Sequence, residues 1–166
     1  MKSAALALCM ALFAAVAGGA TVEILTEGWT GNGNTNGWKF ANLGADGTMG
    51  AESFIESPKW TGADILSAMV NGRCSTNQPD RTPKITFFYD DALTTKPIRL
   101  NPVAAGGSWE RQAFDTNPSR HARGLRLALA ETGTAIWNVH SIVLDYEGSL
   151  DSVEPDPAPG FVIFLQ

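Results

Sequence analysis

The residues of this sequence best suited to bind a ligand are its tryptophans. The chain has five tryptophans in 166 residues. Trp29, Trp60 and Trp109 stand near Gly, Thr, Pro or Ser, so we expect them in loops. There an exposed indole can stack on a sugar ring while Asn, Asp and Arg side chains hydrogen-bond its hydroxyl groups. Trp38 and Trp137 lie within strand patterns and are expected in the core. The alternative is that all five indoles fill the interior, which needs large side chains.

A second group of side chains could ligate a structural calcium ion. The candidate oxygen donors are Asn32, Asn34, Asp46 and Asp145. Calcium binds carboxylate and carbonyl oxygens, often from loops. No local calcium-loop motif is present, and turn formation explains the same Asn and Asp residues without an ion. Both interpretations stay open at this point.

Catalytic chemistry has less support in the sequence. Glycosidases need two carboxylates across a cleft. Glu52 and Glu56 share one face of a strand and Asp90–Asp91 ends another, but nothing in the sequence brings two of these groups together. The chain has no Gly-x-Ser-x-Gly elbow, and its two histidines and two cysteines are not at zinc-ligand spacing. We therefore predict that the protein is not an enzyme.

The N-terminus has the features of a secretion signal. Lys2 precedes an uncharged apolar run over residues 4–16, and small residues follow it. The run is short for a membrane span, which needs about 20 residues. We therefore predict a signal peptide at residues 1–20 and a secreted or cell-surface location for the mature chain.

Charge and cysteine content limit the partners of the mature chain. The signal removes one of the 12 basic residues and none of the 17 acidic ones, which leaves a net charge of −6. This balance argues against a nucleic-acid partner and against electrostatic attachment to anionic lipid. Cys74 is then the remaining cysteine, so an internal disulfide cannot form.

The mature sequence is a series of short strand patterns separated by turn residues. The clearest strand is 84–90, where aromatic and aliphatic residues alternate with Thr and Lys. In 38–43 we expect Trp38, Phe40 and Asn42 on one face, and the Gly- and Asn-rich residues 28–37 form an expected loop. Other strands are expected at 22–26, 53–57, 64–71, 98–100, 109–114, 124–130, 134–137 and 139–146.

No segment has a sustained helical stripe, so the elements favour an antiparallel sandwich, a jelly roll or a barrel. The β-domain is expected at residues 21–147. Residues 148–160 hold three acidic residues and three prolines and are predicted to be a linker. The apolar residues 161–166 are either a last strand or the start of a C-terminal sorting or anchor segment.

Three stretches together resemble known modules: TEGWTGNG, SFIESPKWTGADILSAMVNGR and GLRLALAETGTAIWNVHSIVLDY. Their order of strands, Ser-Pro, aromatic residue and Ile-rich closing strand resembles jelly-roll modules of bacterial secreted and surface proteins. These include cleaved-adhesin, MAM-like and galactose-binding-like domains. The resemblance covers residues 28–146 and lacks the paired cysteines of the MAM-like branch. It implies an all-β, jelly-roll sandwich that binds without catalysis.

The leading functional hypothesis is therefore a non-catalytic extracytoplasmic module that binds a carbohydrate or a surface protein. The alternatives are a structural component of an envelope or extracellular matrix layer and, third, a secreted hydrolase. Two or more exposed indoles on one face would favour glycan binding, and full burial would favour the structural role. Membrane contact is expected only through a C-terminal anchor.

Overall fold

The computed structural model describes residues 19–74, 83–99, 109–129 and 137–155, except for the side chain of Asp46. Within these ranges the chain forms ten strands and one short 3₁₀ turn at Ala45–Gly47. The predicted signal peptide, apart from its last two residues, and the apolar tail lie outside these ranges. The strands are β1 Ala20–Leu25, β2 Gly31–Thr35, β3 Trp38–Leu43, β4 Thr48–Glu56, β5 Ala63–Cys74, β6 Lys84–Tyr89, β7 Leu93–Pro97, β8 Glu110–Asp115, β9 Ala122–Leu129 and β10 Trp137–Gly148.

All the described strand pairs are antiparallel. The continuous sheet is bent into a sandwich at β4, which takes part in both of its layers. Residues 48–49 of β4 pair with β10, whereas residues 53–56 pair with β9. Between these two segments Glu52 has a φ of 54°. This left-handed residue bends β4 so that it passes from one sheet to the other. The predicted all-β, antiparallel sandwich is confirmed.

The bend in β4 defines the two sheets. The first sheet contains β7, β6, β9, the second half of β4, β3 and β2. The second contains β1, β10, β5 and β8, with the first half of β4 beside β10. Neighbouring strands such as β4 and β9, or β5 and β10, are far apart in sequence. The sheet therefore forms only when distant segments meet.

The core between the sheets is filled by alternate residues of the central strands. Phe87 of β6, Leu125 and Leu127 of β9, and Ile142 and Leu144 of β10 are all 0% exposed. Full burial of each aliphatic or phenyl side chain stabilises the fold by about 1.5–3 kcal/mol. Strand β6 has the bounds predicted from its alternation to within one residue.

The expectation of a loop over residues 28–37 is wrong for its middle part. Strand β2 pairs with β3 and is exposed along its length. A Cβ atom on Gly33 would lie 2.5 Å from the Phe40 ring, so glycine is needed where the strand crosses this ring. The Asn32 Oδ1 also accepts a 2.8 Å hydrogen bond from the Asn42 backbone N–H.

The predicted face pattern of β3 is also wrong at its end. Trp38 and Phe40 are buried as expected, but Asn42 is exposed and Leu43 is buried. The pairing of β3 with β4 shifts register between Ala41 and Leu43, and Asn42 has a φ of 53°. This extra residue changes the phase of the alternation, which strict period-two reasoning cannot anticipate.

Strands β5 and β10 are the long central pair of the second sheet. Each contains 12 residues. The ambiguous segment 64–71 lies within β5 and is confirmed as a strand. Residue 137 and residues 139–146, expected in two separate strands, belong to the single strand β10, while residues 134–136 lie outside the described ranges. Strand β7 was not predicted, because it is a polar edge strand.

Residues 149–154 are fixed to the sandwich. The backbone N–H groups of Thr61 and Glu154 donate hydrogen bonds to the carbonyl oxygens of Ser152 and Lys59, respectively. Val153 forms a β-bridge with Trp60. The part of the predicted 148–160 linker that the structure describes is thus held along the loop between β4 and β5. No helix in the described ranges has the length and apolar composition of a membrane span.

Candidate functional site

Four aromatic residues form a buried cluster within the first sheet and its loops. The Trp29 and Phe40 rings stack with centroids 5.1 Å apart, and Trp38 lies 6.1 Å from both Trp29 and Trp60. Trp29 and Trp60 are only 7% and 4% exposed. The expectation that their indoles are exposed in loops is wrong. Both indoles are buried, because packing against aromatic rings and removal of apolar area from water stabilise them there.

Trp38 and Trp137 are buried as predicted. Trp109 is therefore the one tryptophan of the five that keeps a partly exposed side chain. It immediately precedes β8, at the edge of the second sheet. The ring of His140 stacks on the Trp109 ring at a centroid distance of 5.0 Å and an interplanar angle of 21°. The Arg73 guanidinium carbon lies 4.5 Å from the Trp109 ring centroid.

Strand register explains how these three side chains meet. Gly72 of β5 pairs with Glu110 of β8. The adjoining residues, Arg73 and Trp109, therefore lie opposite each other. In β5 and β10, the pairing shifts register on either side of His140. A bulge of this kind re-aims the side chain of the extra residue. The bulge in β10 thus places the His140 ring against Trp109, which immediately precedes β8, the second strand from β10 in the sheet.

On the outer face of the same sheet, the side chains beside this group are polar. The Ser141 Oγ donates a 2.6 Å hydrogen bond to Glu23 Oε1, and Asn71 Nδ2 donates to Ser141 Oγ at 3.4 Å. The Asn71 Oδ1 is buried and has no hydrogen-bond partner in the described structure. An unpaired carbonyl of this kind costs about 1–3 kcal/mol. The Ser53 Oγ and the Trp137 Nε1 are likewise buried without a partner in the described structure, so this feature is not confined to the outer face of the sheet.

Arg111 completes this surface. It pairs with Asn71 across β5 and β8, is exposed, and makes no ion pair with another described residue. We name the surface formed by Asn71, Arg73, Trp109, Arg111 and His140 the Trp109 face. Of these five residues, the sequence predicts only Trp109 as a ligand-binding residue, because the other four reach it only through pairing between strands.

The opposite end of the sandwich carries a network of ion pairs, which we name the ion-pair end. It contains Asp64, Asp90, His121 and Arg123. Arg123 contacts Asp64 at 2.8 Å and Asp90 at 3.1 Å, and the His121 Nδ1 lies 2.7 Å from the Asp64 Oδ2. The Arg123 Nη1 also donates to the Ala63 carbonyl oxygen at 3.2 Å. Each charge in this network faces an opposite one.

An open pocket of about 320 Å³ adjoins these ion pairs. Its lining residues are Lys59, Trp60, Thr61, Asp90, Arg123 and Glu154. Asp90 is paired with Arg123, and Glu154 lies 4.0 Å from Lys59. The two carboxylates of the pocket therefore each contact a cation, whereas a glycosidase needs a proton donor and a nucleophile or base directed at one sugar bond.

The candidate calcium ligands do not come together as one group. Asn32 and Asn34 lie on β2, which pairs with β3, and the Asn32 Oδ1 is engaged by Asn42. Asp145 lies on β10 and accepts hydrogen bonds from Thr21 at 2.7 Å and Ser67 at 2.8 Å. The Asp46 side chain lies outside what the structure describes. Among the described residues, no group of three or more His, Cys, Asp or Glu side chains could hold a metal ion.

Comparison with known proteins adds no relative to this picture. No protein-family model matches the chain, and no curated protein matches it. The jelly-roll resemblance noted in the sequence stays a prediction.

Proposed function

We propose that this protein is a non-catalytic module that binds carbohydrate outside the cytoplasm, and that its binding surface is the Trp109 face. The observation that carries the proposal is the partly exposed indole of Trp109, held between strands by Arg73 and His140. A sugar ring presents C–H groups on one side, and these can pack on the part of the indole that His140 and Arg73 leave exposed.

The surroundings of Trp109 supply the polar contacts that carbohydrate recognition needs. Arg73 and Arg111 carry hydrogen-bond donors beside the indole. Donors and acceptors around one apolar platform are typical of small-ligand sites. Arg73, Arg111 and His140 lie on strands whose positions are fixed by the sandwich, so binding needs little ordering of these side chains.

A structural role in an envelope or matrix layer is the second candidate. The observation in its favour is the burial of Trp29, Trp38, Trp60 and Trp137. Two exposed indoles on one face would have supported glycan binding more strongly than Trp109 alone does. The two candidates differ in whether the isolated protein binds sugars.

A glycan array probed with the full chain tests the proposal. We expect binding to a limited set of glycans and a change of tryptophan fluorescence on titration with them. Trp109→Ala should remove binding, while the control Trp137→Phe, at an indole buried in the core, should retain it. An array on which no glycan binds would contradict the proposal and favour the structural role.

The hydrolase alternative has its own control at the pocket of the ion-pair end. Glycans that bind should be recovered uncleaved after long incubation, as judged by the release of reducing ends. Release of reducing ends that stops in Asp90→Asn and in Glu154→Gln would overturn the non-catalytic assignment.

A further inference from the structure

The charges around Trp109 point to the class of sugar. Trp109 immediately precedes β8 and contacts Arg73, and Arg111 lies two residues further along, opposite Asn71. Because Asn71 and Arg73 are on the same side of β5, Trp109 and Arg111 lie on the same face of the sheet. Their Cα atoms are about 7 Å apart along an extended strand. Glu110, the residue between them, alternates to the other side. An arginine without an ion-pair partner in the described structure thus lies beside the stacking platform.

None of the described acidic side chains on the same sheet face forms an ion pair with Arg111. Glu23 accepts the hydrogen bond of Ser141. Asp145 accepts hydrogen bonds from Thr21 and Ser67. Asp115 pairs in register with Ser67, four residues along β8 from Arg111, which corresponds to about 13 Å. That separation exceeds the Debye length of about 8 Å at physiological salt.

Arginine is the side chain best suited to bind an anionic group in a defined geometry. Its planar guanidinium can donate two parallel hydrogen bonds to a carboxylate or a sulfate ester. Arg73 is already held over the Trp109 ring, so it contributes a second positive charge at a fixed position. Both cations border the same indole, whereas at the ion-pair end the arginine contacts carboxylates of the protein.

We infer that the Trp109 face selects acidic sugars, in which a carboxylate or sulfate group binds Arg111 while the sugar ring packs on the exposed part of Trp109. This inference rests on the proposed function, because it names the sugar class for the same surface. The net negative charge of the whole chain opposes polyanion binding at long range, so the selectivity depends on the local contact with Arg111.

Matched polymers isolate the contribution of the anionic group. Polygalacturonate and its fully methyl-esterified form share one backbone and differ in carboxylate charge. Dextran sulfate and dextran form the corresponding sulfate pair. Binding of the full chain to each polymer is measured by calorimetry at about 0.15 M salt, where distant charges are screened. We expect the charged member of one or both pairs to bind about tenfold more tightly than its neutral partner.

Two variants assign the preference to a residue. Arg111→Gln should lower the affinity for the charged polymer to that of the variant for the neutral one, so that the charged-to-neutral ratio falls to about one. Lys84→Gln removes the same charge from an exposed position on the first sheet and should keep the preference. Near-ultraviolet circular dichroism of both variants should match that of the parent.

The outcomes separate this inference from the proposed function. Equal affinities for charged and neutral polymers, or a preference lowered equally by Lys84→Gln, would overturn acidic-sugar selectivity and leave carbohydrate binding intact. Failure to bind any polymer and any glycan of the array would overturn the proposed function and the inference with it.

Discussion

The two ends of this sandwich use aromatic and charged residues in opposite ways. At the ion-pair end, Trp60 is buried in the four-ring cluster, and Arg123 is paired with two carboxylates above it. At the other end, Trp109 is partly exposed, and Arg111 has no ion-pair partner among the described residues. At the ion-pair end, the burial of Trp60 and the ion pairs of Arg123 stabilise the fold. At the other end, the exposed part of Trp109 and the Arg111 guanidinium remain available to a ligand. Residue type alone therefore does not separate structural from binding tryptophans.

The largest expected difference between the two regions is in stability. Trp38→Ala removes a ring that contacts both Trp29 and Trp60, and it should lower the free energy of unfolding by about 3–5 kcal/mol. Trp109→Ala should cost about 1 kcal/mol, since the ring is partly exposed and loses mainly its contacts with His140 and Arg73. Urea denaturation of both variants measures the two values. Equal losses would remove the distinction.

A smaller effect is expected from crowding the buried cluster through the neighbouring strand. In Gly33→Ala the new Cβ would press on the Phe40 ring and should destabilise the fold by about 1–3 kcal/mol. Gly50→Ala is the matched control, since the nearest neighbour of its new Cβ, the Asn42 carbonyl oxygen, would lie at 3.4 Å, an ordinary contact. Thermal unfolding of the pair decides the point. A neutral Gly33→Ala would show that Phe40 moves freely.

The ion pairs themselves should contribute about 1 kcal/mol where they are half-buried. Asp64 and Arg123 have side chains 32% and 28% exposed, and His121 shares the same carboxylate. Asp64→Asn is expected to lower the free energy of unfolding by that amount. Glu154→Gln should have almost no effect, because its partner Lys59 is 4.0 Å away and both are well exposed. A similar loss in both variants would contradict this ranking.

The smallest expected effect is at Arg111. Because this side chain is exposed and makes no ion pair within the described structure, Arg111→Gln should change the free energy of unfolding by less than about 0.5 kcal/mol. Denaturation of Arg111→Gln is measured beside that of Asp64→Asn. The comparison sets an arginine without an ion pair in the described structure against Arg123, which loses its ion pair with Asp64. Marked destabilisation by Arg111→Gln would assign Arg111 a structural role.

Strand alternation carried most of the fold prediction. Strands such as β6 and β9 combine apolar periodicity with turn residues at their ends, and their bounds follow from composition. Strand β2 could not be predicted, since its Gly and Asn residues have weak strand preference. It forms because β3 offers a paired edge and Phe40 needs a neighbour without a side chain.

The candidate site was predicted only in part. Trp109 was proposed from its sequence neighbours, and so were Trp29 and Trp60, which the fold buries. Nothing in those neighbours distinguishes the three. Arg73, Arg111 and His140 were not proposed, because their relation to Trp109 depends on the register of β5 with β8 and on a bulge in β10.

The sequence by itself determined that the chain forms an all-β domain, because hydrophobic periodicity and turn chemistry are local properties of a few successive residues. Only the tertiary structure decided which indoles are buried and which arginines are paired. Those outcomes depend on contacts between strands far apart in sequence, such as β4 with β9 and β5 with β10. Their free energies are set by the area removed from water and by the charges brought together across the sheets.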